Sequence, residues 1–456
     1  MLFTELARQV VSPNGRIGLL VPSGIATDDT TKHFFGDLMD KKALTALYDF
    51  ENRDRIFPDI DGRFKFSVLL MNGRDRQTEE ADFVFFARSI DDLKPRDRHI
   101  TLSARDLKIF NPNTHTCPIF RTRTDCQLTK RIYRNIPILV DQNRKSGGNP
   151  WGVRFVRMFD QTNNAELFRS AEILQSDGFR LEGNRWIRRK DIYLPLYEAK
   201  MVQAFDHRAA SVIVEGGNWM RQGQTDDTTL VAHQNPEFVA LPRFWVAEKE
   251  VLRVLGGKGT AFPAFVGFKD ITSPTNQRTM IASAIPFAAV TNHFPLMLMN
   301  LPWRRQLCLL ANLNTFAFDY ATRQKIGGVT LNFFIVEQLP TLPPDRYDEK
   351  CDWDKKVTLE KWISDRVLKL SCTADDMRPL ATAADFKEGV HKWNEAERSK
   401  LRAELDAAYF ILYGLSREEV EYVLNQFQGV VKEDESHRGP GSTREEILNA
   451  YDGMGL

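Results

Sequence analysis

Near the amino end, a short apolar run constrains the fold more than any other feature of the sequence. Arg16 to Val21 (RIGLLV) is closed by Pro22-Ser23-Gly24, and this pattern is typical of a strand buried on both faces of a parallel sheet. Apolar residues at helical spacing precede it over residues 2–12, and Pro13-Asn14-Gly15 ends that helix. A parallel strand needs a neighbour on each side. Because no strand precedes the helix, we expect one hydrogen-bonding edge to stay exposed unless a lost segment or another chain pairs with it.

The next residues continue an α/β pattern. In chain order, we expect a helix that begins at Thr27-Asp28-Asp29 and has Phe34, Phe35, Leu38 and Met39 on its apolar side, then strands over residues 43–50, 64–71 and 81–86. Helix, strand, helix, strand, strand is the order of the last part of an open α/β sheet. The predicted fold class is therefore α/β, with the front of the sheet missing.

Composition excludes several classes of protein. A chain of 456 residues with 42% apolar content can hold roughly two to four domains. It has no run of eighteen apolar residues and no basic-then-apolar start, so we expect neither a membrane span nor export, and we expect the protein in the cytoplasm. The five cysteines are widely spaced and never form Cys-x-x-Cys, which favours reduced, buried thiols over disulfides or a zinc site: Cys117, Cys126, Cys308, Cys351 and Cys372.

The net charge of +1 conceals two regions of opposite charge. Residues 120–210 hold 17 Lys and Arg against 10 Asp and Glu, whereas residues 341–456 hold 17 against 24. A basic middle region attracts nucleic-acid phosphates whatever the base sequence, although a solvated protein face can have the same composition. The charge pattern alone suggests DNA or RNA binding without requiring it.

Several strings together resemble one family. Residues 2–7 and 14–28 (LFTELA and NGRIGLLVPSGIATD) resemble the stretch after the catalytic Asn-Pro-Pro-Tyr loop in adenine-N6 DNA methyltransferases of the gamma, TaqI-like order. Residues 55–58 and 64–70 (RIFP and FKFSVLL) are similar to that family's late strand pair, which passes under the target base. Later strings resemble, in the family's order, the specificity domain and tail helices of large type IIG-like restriction-modification polypeptides: Tyr193–Met201, Phe205–Arg208, Asn276–Ile281, Leu313–Tyr320, Glu337–Pro340 and Ala407–Leu415.

The resemblance covers nearly the whole chain and implies three domains. Residues 1–105 would be the carboxy-terminal part of an incomplete Rossmann-like methyltransferase sheet. Residues 106–340 would form an α+β target-recognition domain that binds double-stranded DNA. Residues 341–456 would form a helical domain with a mobile end over 433–443; a capping box at Ser416 predicts one of its helices.

The departures from the family are as informative as the matches. Members hold S-adenosylmethionine on a glycine-rich turn and polarise the adenine amino group with an Asn/Asp-Pro-Pro-Phe/Tyr loop. Here no Asn-Pro pair is followed by Pro and an aromatic residue, and neither Gly216-Gly217 nor Gly327-Gly328 has the position of a donor-binding turn. We therefore expect no catalytic residue and no bound S-adenosylmethionine in this chain alone.

The resemblance also suggests where a target adenine would be held. The family must flip the base out of the duplex and stack it against an aromatic side chain. Phe66 is the candidate for this stacking, with Phe64 as the alternative, although a strand Phe can equally be a core residue. Pro22, Ser23 and Gly24 would form the cleft edge at the carboxyl end of a strand, or a simple turn.

Cations beside glycine or small polar residues are candidates for DNA contact. Each can instead be a structural or merely solvated group, and these alternatives stay open. Arg278 and Thr279 follow a loop of small polar residues, Thr272 to Asn276, that includes Thr275. The other candidates are Arg144 and Lys145 before Gly147-Gly148, Arg188 and Arg189 in a segment that interleaves Trp186 with cations, and Arg323 and Lys325 before Gly327-Gly328.

One acidic pattern imitates a metal-dependent nuclease. Asp191 followed by Glu198-Ala199-Lys200 has the residue types with which many nucleases bind Mg²⁺. Such carboxylates must converge from neighbouring strands, but Pro195 and the tyrosines predict an irregular segment leading into a helix over 198–205. We expect no metal site, and a Mg²⁺-dependent nuclease is the weakest of the alternatives.

Two hypotheses of function therefore remain. The chain is the DNA-recognition half of a site-specific adenine-N6 DNA methyltransferase of a restriction-modification system, completed by a missing N-terminal half. Alternatively, it is a stand-alone DNA-binding specificity subunit that recruits a separate catalytic chain through its exposed sheet edge.

Overall fold

The chain forms two units, and the structure, a computed structural model, describes residues 1–214, 223–257, 262–274 and 276–455. The first unit comprises Met1–Asn149 and Ala321–Thr341, and the second comprises Pro150–Tyr320 and Leu342–Leu456. The Gly216-Gly217 pair and Thr275 lie outside the described residues.

These two units differ from the three predicted domains. Residues beyond 105 belong to the first unit because Phe110 and Phe120 are fully buried in the core beneath its sheet. The acidic tail belongs to the second unit because it is packed into it. The buried hydroxyl of Tyr409, for example, donates to the carbonyl of Cys308 at 2.7 Å.

Alternating helices and strands build the first unit, and the predicted strands 43–50, 64–71 and 81–86 are confirmed to within one residue. The predicted apolar side of the helix around Phe34 is buried. Up to residue 149 the elements are α1 (Leu2–Val10), β1 (Arg16–Pro22), α2 (Gly24–Thr27), α3 (Lys32–Asp40), β2 (Leu44–Glu51), β3 (Lys65–Asn72), β4 (Ala81–Ala87), β5 (Ile100–Leu102), α4 (Ala104–Phe110) and α5 (Arg123–Asn135).

The five strands of this unit form one mixed sheet in the order β1-β3-β2-β4-β5. β3 runs antiparallel to both β1 and β2, so β1 and β2 run parallel to each other although they do not pair. β4 pairs parallel with β2, and β5 pairs antiparallel with β4. The carboxyl ends of β1, β2 and β4 therefore lie at the same end of the sheet.

β1 is not the doubly buried strand that its sequence predicts. It pairs antiparallel with β3, from Arg16 opposite Asn72 to Pro22 opposite Phe66, and no other described strand pairs with it. Leu20 is 61% exposed, which shows that only one face of the strand is covered. The apolar run misleads because it contains apolar residues on both faces of the strand. Within the described residues, the expected unpaired edge is present.

Helix α1 also leaves apolar side chains uncovered. Leu2 and Phe3 are more than four-fifths exposed, and Leu6 and Val10 are more than half exposed. Burying such side chains is normally favourable by about 1.5–3 kcal/mol each. We use the term apolar edge for the free edge of β1 together with this exposed face of α1.

The rest of the chain contains short strands followed by helices. In chain order these are β6 (Arg154–Val156), β7 (Phe168–Arg169), α6 (Ala171–Ser176), β8 (Arg180–Glu182), β9 (Arg185–Arg188), β10 (Asp191–Tyr197), β11 (Ala210–Val212), β12 (Thr225–Asp227), α7 (Leu230–Gln234), β13 (Trp245–Ala247), α8 (Glu248–Val254), β14 (Ala264–Phe268), β15 (Ala282–Pro286), β16 (Ala289–Val290), β17 (Leu296–Leu298), α9 (Trp303–Leu313), α10 (Phe316–Arg323), α11 (Phe333–Val336), α12 (Leu359–Ser371), α13 (Arg378–Ala383), α14 (Glu395–Leu412), α15 (Arg417–Asn425), α16 (Gln428–Glu433) and α17 (Ser442–Gly453).

Residues 321–341 belong to the first unit and form part of its interior. The hydroxyl of Tyr133 on α5 donates to the carbonyl of Gln338 at 2.9 Å. The Leu139 amide donates to the carbonyl of Leu339 at 3.0 Å. Gln338 is itself buried, so this segment forms part of the interior rather than a surface strap.

In the second unit, the described strands form two larger sheets and one two-stranded pair. One sheet has the order β7-β13-β10-β9-β8, with β16 paired parallel to β10, and the other has the order β15-β14-β17-β6. β11 pairs with β12. The predicted helix over 198–205 is wrong, because β10 continues through Tyr197 and only one helical turn, Ala199–Met201, follows it.

A buried arginine ties several loops of the second unit together. Arg208 is fully buried, and its guanidinium donates to four backbone carbonyls. The acceptors are Asn235 at 2.8 Å, Phe238 at 3.0 Å, His233 at 2.6 Å and Thr373 at 2.7 Å. A guanidinium suits this task because it carries five donors in a fixed plane.

The acidic tail is helical, as predicted. The capping box at the start of α15 is confirmed, with the Ser416 amide donating to the Glu419 carboxylate at 2.8 Å. The sequence predicts a mobile segment over 433–443, but much of this segment is helical. Asp434 is buried and accepts a hydrogen bond from the Thr443 amide at 2.8 Å.

The five cysteines are free and buried, and the burial agrees with the prediction. Among the described helices, none combines the length and apolarity needed to cross a bilayer.

Candidate nucleic-acid interface

Three polar side chains meet where β1 and β2 end. Ser23 directly follows β1, Asp49 lies near the end of β2, and Ser67 lies near the start of the antiparallel β3. The Ser23 hydroxyl donates to Asp49 Oδ1, and the Ser67 hydroxyl donates to the same oxygen at 3.1 Å. Open α/β sheets bind their ligands at this end of their parallel strands. The structure thus places Ser23, with Pro22 and Gly24, at the predicted end of the sheet.

Asp49 is held in an unusual environment for a carboxylate. It is only 5% exposed, and this burial raises its pKa. Hydrogen bonds from Ser23, Ser67 and the backbone of Phe86, together with the charge of Lys65, act in the opposite direction. Asp49 thus serves as the acceptor that joins β1, β2, β3 and β4 at this end.

A strained backbone position lies beside Asp49. Phe86 has a φ of 58° and sits where β4 carries an extra residue, opposite the step from Tyr48 to Phe50 in β2. A left-handed conformation costs a non-glycine residue about 1–3 kcal/mol, and bulges of this kind are frequent next to functional sites. The ring of Phe86 is contacted by two cations: Lys65 Nζ lies 4.8 Å and the Arg121 guanidinium 4.1 Å from its centroid.

Four cationic side chains gather around one carboxylate at the same end of the sheet. Glu51, the last residue of β2, lies 3.2 Å from Arg53, 3.3 Å from Lys65 and 3.9 Å from Arg88, measured between the charged atoms. The charge of Arg121 also interacts with Glu51. We call Arg53, Lys65, Arg88 and Arg121 the cationic edge. Asp49 also interacts with Lys65, and Asp125 with Arg121, so three carboxylates face four cations and the cationic edge keeps a small excess of positive charge.

The two aromatic candidates for base stacking differ in position. Phe66 is half-buried, stacks on Phe50 with ring centroids 5.3 Å apart, and meets Phe57 edge to face at 5.0 Å. Phe64 is 66% exposed and directly precedes Lys65. Of the two, Phe64 has the more exposed ring, and base stacking by either residue stays a prediction.

The arrangement can bind a polyanion and stack a planar group. Arg53 and Arg88 keep about half of their side-chain surface exposed, at 55% and 50%. Exposed guanidinium groups suit contacts to phosphate oxygens. An exposed aromatic ring beside them offers a surface on which a base stacks.

Two other predicted cations of the first unit, Arg144 and Lys145, lie in a surface loop. Arg144 is 67% exposed and its Nε lies 3.1 Å from the Asp141 carboxylate. Lys145 is also exposed. Both side chains are accessible, so their predicted contact with DNA stays a prediction.

Arg188 and Arg189 lie at the turn between β9 and β10 in the second unit. Arg188 packs over the Phe179 ring at 4.4 Å, donates to the carbonyl of Asp177 at 2.6 Å, and remains 46% exposed. Arg189 is exposed and has a φ of 56°. The β9–β10 turn thus presents cations at the surface, and DNA contact there also stays a prediction.

Thr279 is not exposed, which corrects the DNA contact expected of it, whereas Arg278 is partly exposed and its contact with DNA stays a prediction. Thr279 is fully buried, and its amide donates to the Asp319 carboxylate at 2.9 Å. The Arg278 guanidinium lies 3.3 Å from the centroid of the Phe316 ring and 3.3 Å from the Asp406 carboxylate. Thr279 faces the interior of the second unit, whereas the Arg278 side chain keeps 20% of its surface exposed.

Lys325 is a structural residue, which corrects the prediction that it contacts DNA. Its ammonium donates to the carbonyl of Phe110, to Asn111 Oδ1, and to the carbonyl of Gln338 at 3.3 Å. Burial lowers the pKa of Lys325 well below its usual range. Arg323, at the end of α10, is half-buried. The Gly327-Gly328 pair predicts an open loop. This sequence pattern gives no indication that the Lys325 side chain is buried.

Replacing Lys325 with methionine is expected to lower the free energy of unfolding by about 3 kcal/mol, because three buried oxygens lose their donor. Lys145→Met is the matched control and should change stability by less than about 0.5 kcal/mol, because Lys145 is exposed. Urea denaturation of both variants measures the difference. Equal stability of the two variants would contradict the buried position of Lys325.

Sequence patterns do not single out the residues of the cationic edge. They lie on the β2–β3 loop, β3, the end of β4 and the segment before α5. One local signal exists, since Lys65 is a cation between two aromatic residues, Phe64 and Phe66. The others come together only through the pairing of the strands.

The acidic pattern at Asp191 and Glu198 gains no support as a metal site. Asp191 begins β10 and is exposed, whereas Glu198 follows the end of the same strand and is ion-paired with Lys200 at 2.9 Å. Across the described residues, no group of three or more His, Cys, Asp or Glu side chains could hold a metal ion.

Comparison with known proteins yields structural similarity without sequence similarity. No protein-family model matches the sequence, and no curated protein matches it. Among solved structures, the chain is similar to the type IIL restriction-modification enzyme MmeI in complex with DNA, at 8% identity and a TM-score of 0.42, over 99% of this chain and 51% of that one. It is also similar to the type IIG restriction endonuclease BpuSI, at 12% identity and a TM-score of 0.29, over 90% of this chain and 48% of that one. The chain thus spans about half the length of either protein.

Proposed function

We propose that this chain is the DNA-recognition half of a site-specific adenine-N6 DNA methyltransferase of a restriction-modification system, acting on double-stranded DNA in the cytoplasm. The observation that carries the proposal is the cationic edge, which lies beside the exposed Phe64 at the carboxyl end of the first sheet. Because this chain has neither a donor-binding turn nor an Asn-Pro-Pro-Tyr loop, S-adenosylmethionine would be bound by a further segment or subunit.

Charge and geometry both support contact with a DNA backbone. Cations that neutralise phosphates release condensed counterions, so each such interaction adds affinity that falls as salt rises. Arg88 and Arg121 offer guanidinium groups, which bind phosphate oxygens through paired hydrogen bonds. Phe64 adds a surface for an unstacked base, which an enzyme that modifies a base inside a duplex requires.

The apolar edge supports the second part of the proposal, that another polypeptide segment completes the sheet. A free strand edge offers unpaired N–H and C=O groups to an incoming strand. The adjoining Leu2, Phe3, Leu6 and Val10 side chains of α1 would be buried by the same partner. A strand that pairs with β1 and is covered by a helix satisfies both requirements.

The same edge favours one alternative, a DNA-binding specificity subunit that recruits a separate catalytic chain. The two functions differ in whether the missing half belongs to the same polypeptide. The reading frame upstream of Met1 distinguishes them, because a split enzyme requires a donor-binding turn and an Asn-Pro-Pro-Tyr loop in phase with this chain.

Binding and methyl transfer by the purified chain test the proposal. We expect the chain alone to bind a fluorescent duplex with an affinity that falls steeply between about 50 and 200 mM salt. We expect no heat of S-adenosylmethionine binding in calorimetry. Addition of the missing half should restore donor binding and adenine methylation.

Two results would contradict the proposal. Tight S-adenosylmethionine binding by the chain alone would show that it is not the donor-free half. Duplex binding that is absent even at about 50 mM salt would remove the role in DNA recognition.

A further inference from the structure

A cavity in the second unit brings three arginines together. Its volume is about 370 Å³, and Arg278, Arg402 and Arg438 all line it. The walls come from the segment after β14, from α14, and from the helices near the end of the chain. This volume is at the lower end of the range for pockets that bind small molecules.

Arg402 is the unpaired cation of this cavity. Its side chain is half-buried on α14, and among the described residues it makes no hydrogen bond or ion pair. Burial lowers its pKa, and the like charges of Arg278 and Arg438 lower it further, whereas Glu395 and Asp406 act in the opposite direction. Four carboxylates line the cavity beside the three arginines, but none of them lies within ion-pair distance of Arg402. A largely buried cation without a hydrogen-bonded counter-ion is costly, so Arg402 has its donors available for an anion.

Arg278 also has a hydrogen-bond donor without an acceptor in the described part of the chain. One of its terminal nitrogens, Nη2, lies 3.3 Å from Asp406. The other, Nη1, is buried and has no hydrogen-bond partner among the described residues. The guanidinium lies 3.3 Å from the centroid of the Phe316 ring, which fixes its position at the cavity wall.

The carboxylates that line the same cavity are already engaged. Asp406 accepts from the Phe316 amide at 2.7 Å as well as from Arg278. Glu446 accepts from the Ser399 hydroxyl at 2.6 Å and from Arg438 at 2.7 Å.

Two further carboxylates on the wall are likewise satisfied. Asp434 accepts from the Thr443 amide and hydroxyl at 2.8 and 2.7 Å. Glu433 accepts from Gln277 at 3.0 Å. The lining therefore has donors to spare on two arginines, while each carboxylate has its own partners.

We infer that this cavity is a binding site for a phosphate-class oxyanion, with Arg402 as its principal ligand. A guanidinium offers paired donors that match the oxygens of a phosphate group. Free phosphate and the phosphate group of a mononucleotide share this chemistry, and the cavity has room for more than four oxygens. This site is separate from DNA binding at the cationic edge, and the inference does not depend on that function.

Phosphate binding by the full chain tests the inference. Calorimetry with inorganic phosphate and with adenosine monophosphate, against sodium chloride at equal ionic strength, should show saturable binding of at least one of the two. Arg402→Gln should weaken that binding at least about tenfold. Arg180→Gln, at an exposed position on β8, is the matched control and should bind as the unmodified chain does.

The two ligands distinguish the source of the oxyanion. Tighter binding of the mononucleotide identifies a nucleotide site, and equal binding identifies a site for phosphate alone. Absence of saturable binding of either ligand by the unmodified chain would overturn the inference, as would equal binding by the Arg402→Gln variant.

Stability provides a second measurement that does not need a titration. In phosphate-free buffer, Arg402→Gln should unfold at the same temperature as the unmodified chain or at a higher one, because it removes a buried cation that makes no hydrogen bond or ion pair among the described residues. Should the variant not fold, arginine-specific modification of the unmodified chain followed by mass spectrometry replaces it. Phosphate should then protect Arg402, and modification of Arg402 at an unchanged rate would overturn the inference.

Discussion

Arg208→Met is expected to lower the free energy of unfolding of the second unit by about 4 kcal/mol. The guanidinium donates to the carbonyls of His233, Asn235, Phe238 and Thr373 at 2.6–3.0 Å, and methionine leaves all four oxygens without this donor. The hydrogen bonds to His233 and Thr373 are fully buried. Each unsatisfied buried acceptor costs about 1–3 kcal/mol, of which the relief of burying a charge recovers part. Equilibrium denaturation in urea, followed by tryptophan fluorescence, measures the change.

Two controls separate this effect from the general cost of losing an arginine. Arg180→Met removes an exposed guanidinium from β8 and should change stability by less than about 0.5 kcal/mol. Arg208→Lys keeps the charge but not the planar set of five donors, so it should lie between the two. A loss for Arg208→Met no larger than that for Arg180→Met would disprove the role of Arg208 in joining these loops.

Reversing two charges of the cationic edge should abolish most DNA binding. For the double substitution Arg88→Glu and Arg121→Glu, we expect duplex affinity at about 100 mM salt to fall by at least about 100-fold. The slope of log affinity against log salt should become less steep by about two, one for each phosphate that is no longer neutralised. Fluorescence anisotropy at several salt concentrations measures both quantities.

A matched double reversal tests whether position matters or only net charge. Lys41 and Lys108 are 66% and 49% exposed, and Lys41 precedes β2 at the opposite end of the sheet from Glu51. Lys41→Glu with Lys108→Glu changes the net charge by the same amount and should weaken binding less than about fivefold. Equal losses of duplex affinity for the two double variants would show that DNA binding depends only on the net charge of the protein.

Local elements of the first unit could be predicted from the sequence because their signals are local. Helical spacing before Pro13 marks α1, and apolar runs between polar loops mark β2, β3 and β4. The partner of β1 could not be predicted in this way, because pairing with β3 joins residues about fifty positions apart. An apolar run also does not reveal whether one face or both faces of a strand are covered.

The candidate site was predictable only in part for the same reason. Ser23 is a candidate because it follows a strand, and the structure places it at that end of the sheet beside Asp49. The two glycines that follow Lys325 predict a surface position for it. Its acceptors, Phe110 and Asn111, are more than two hundred positions away in the sequence. Charge and flanking glycine describe a residue's neighbours in sequence, whereas burial depends on its neighbours in space.

The return of residues 321–341 to the first unit affects how the protein can be made. Lys325 and Gln338 bond to residues between 110 and 133, so the interior of the first unit is incomplete until residue 341 has left the ribosome. At about 5–20 residues per second, synthesis from residue 149 to residue 341 takes at least about ten seconds. During that interval Tyr133 and the surrounding core lack their partners, so the nascent chain exposes apolar surface to chaperones. Translation speed over residues 150–320 should therefore influence the yield of the folded first unit.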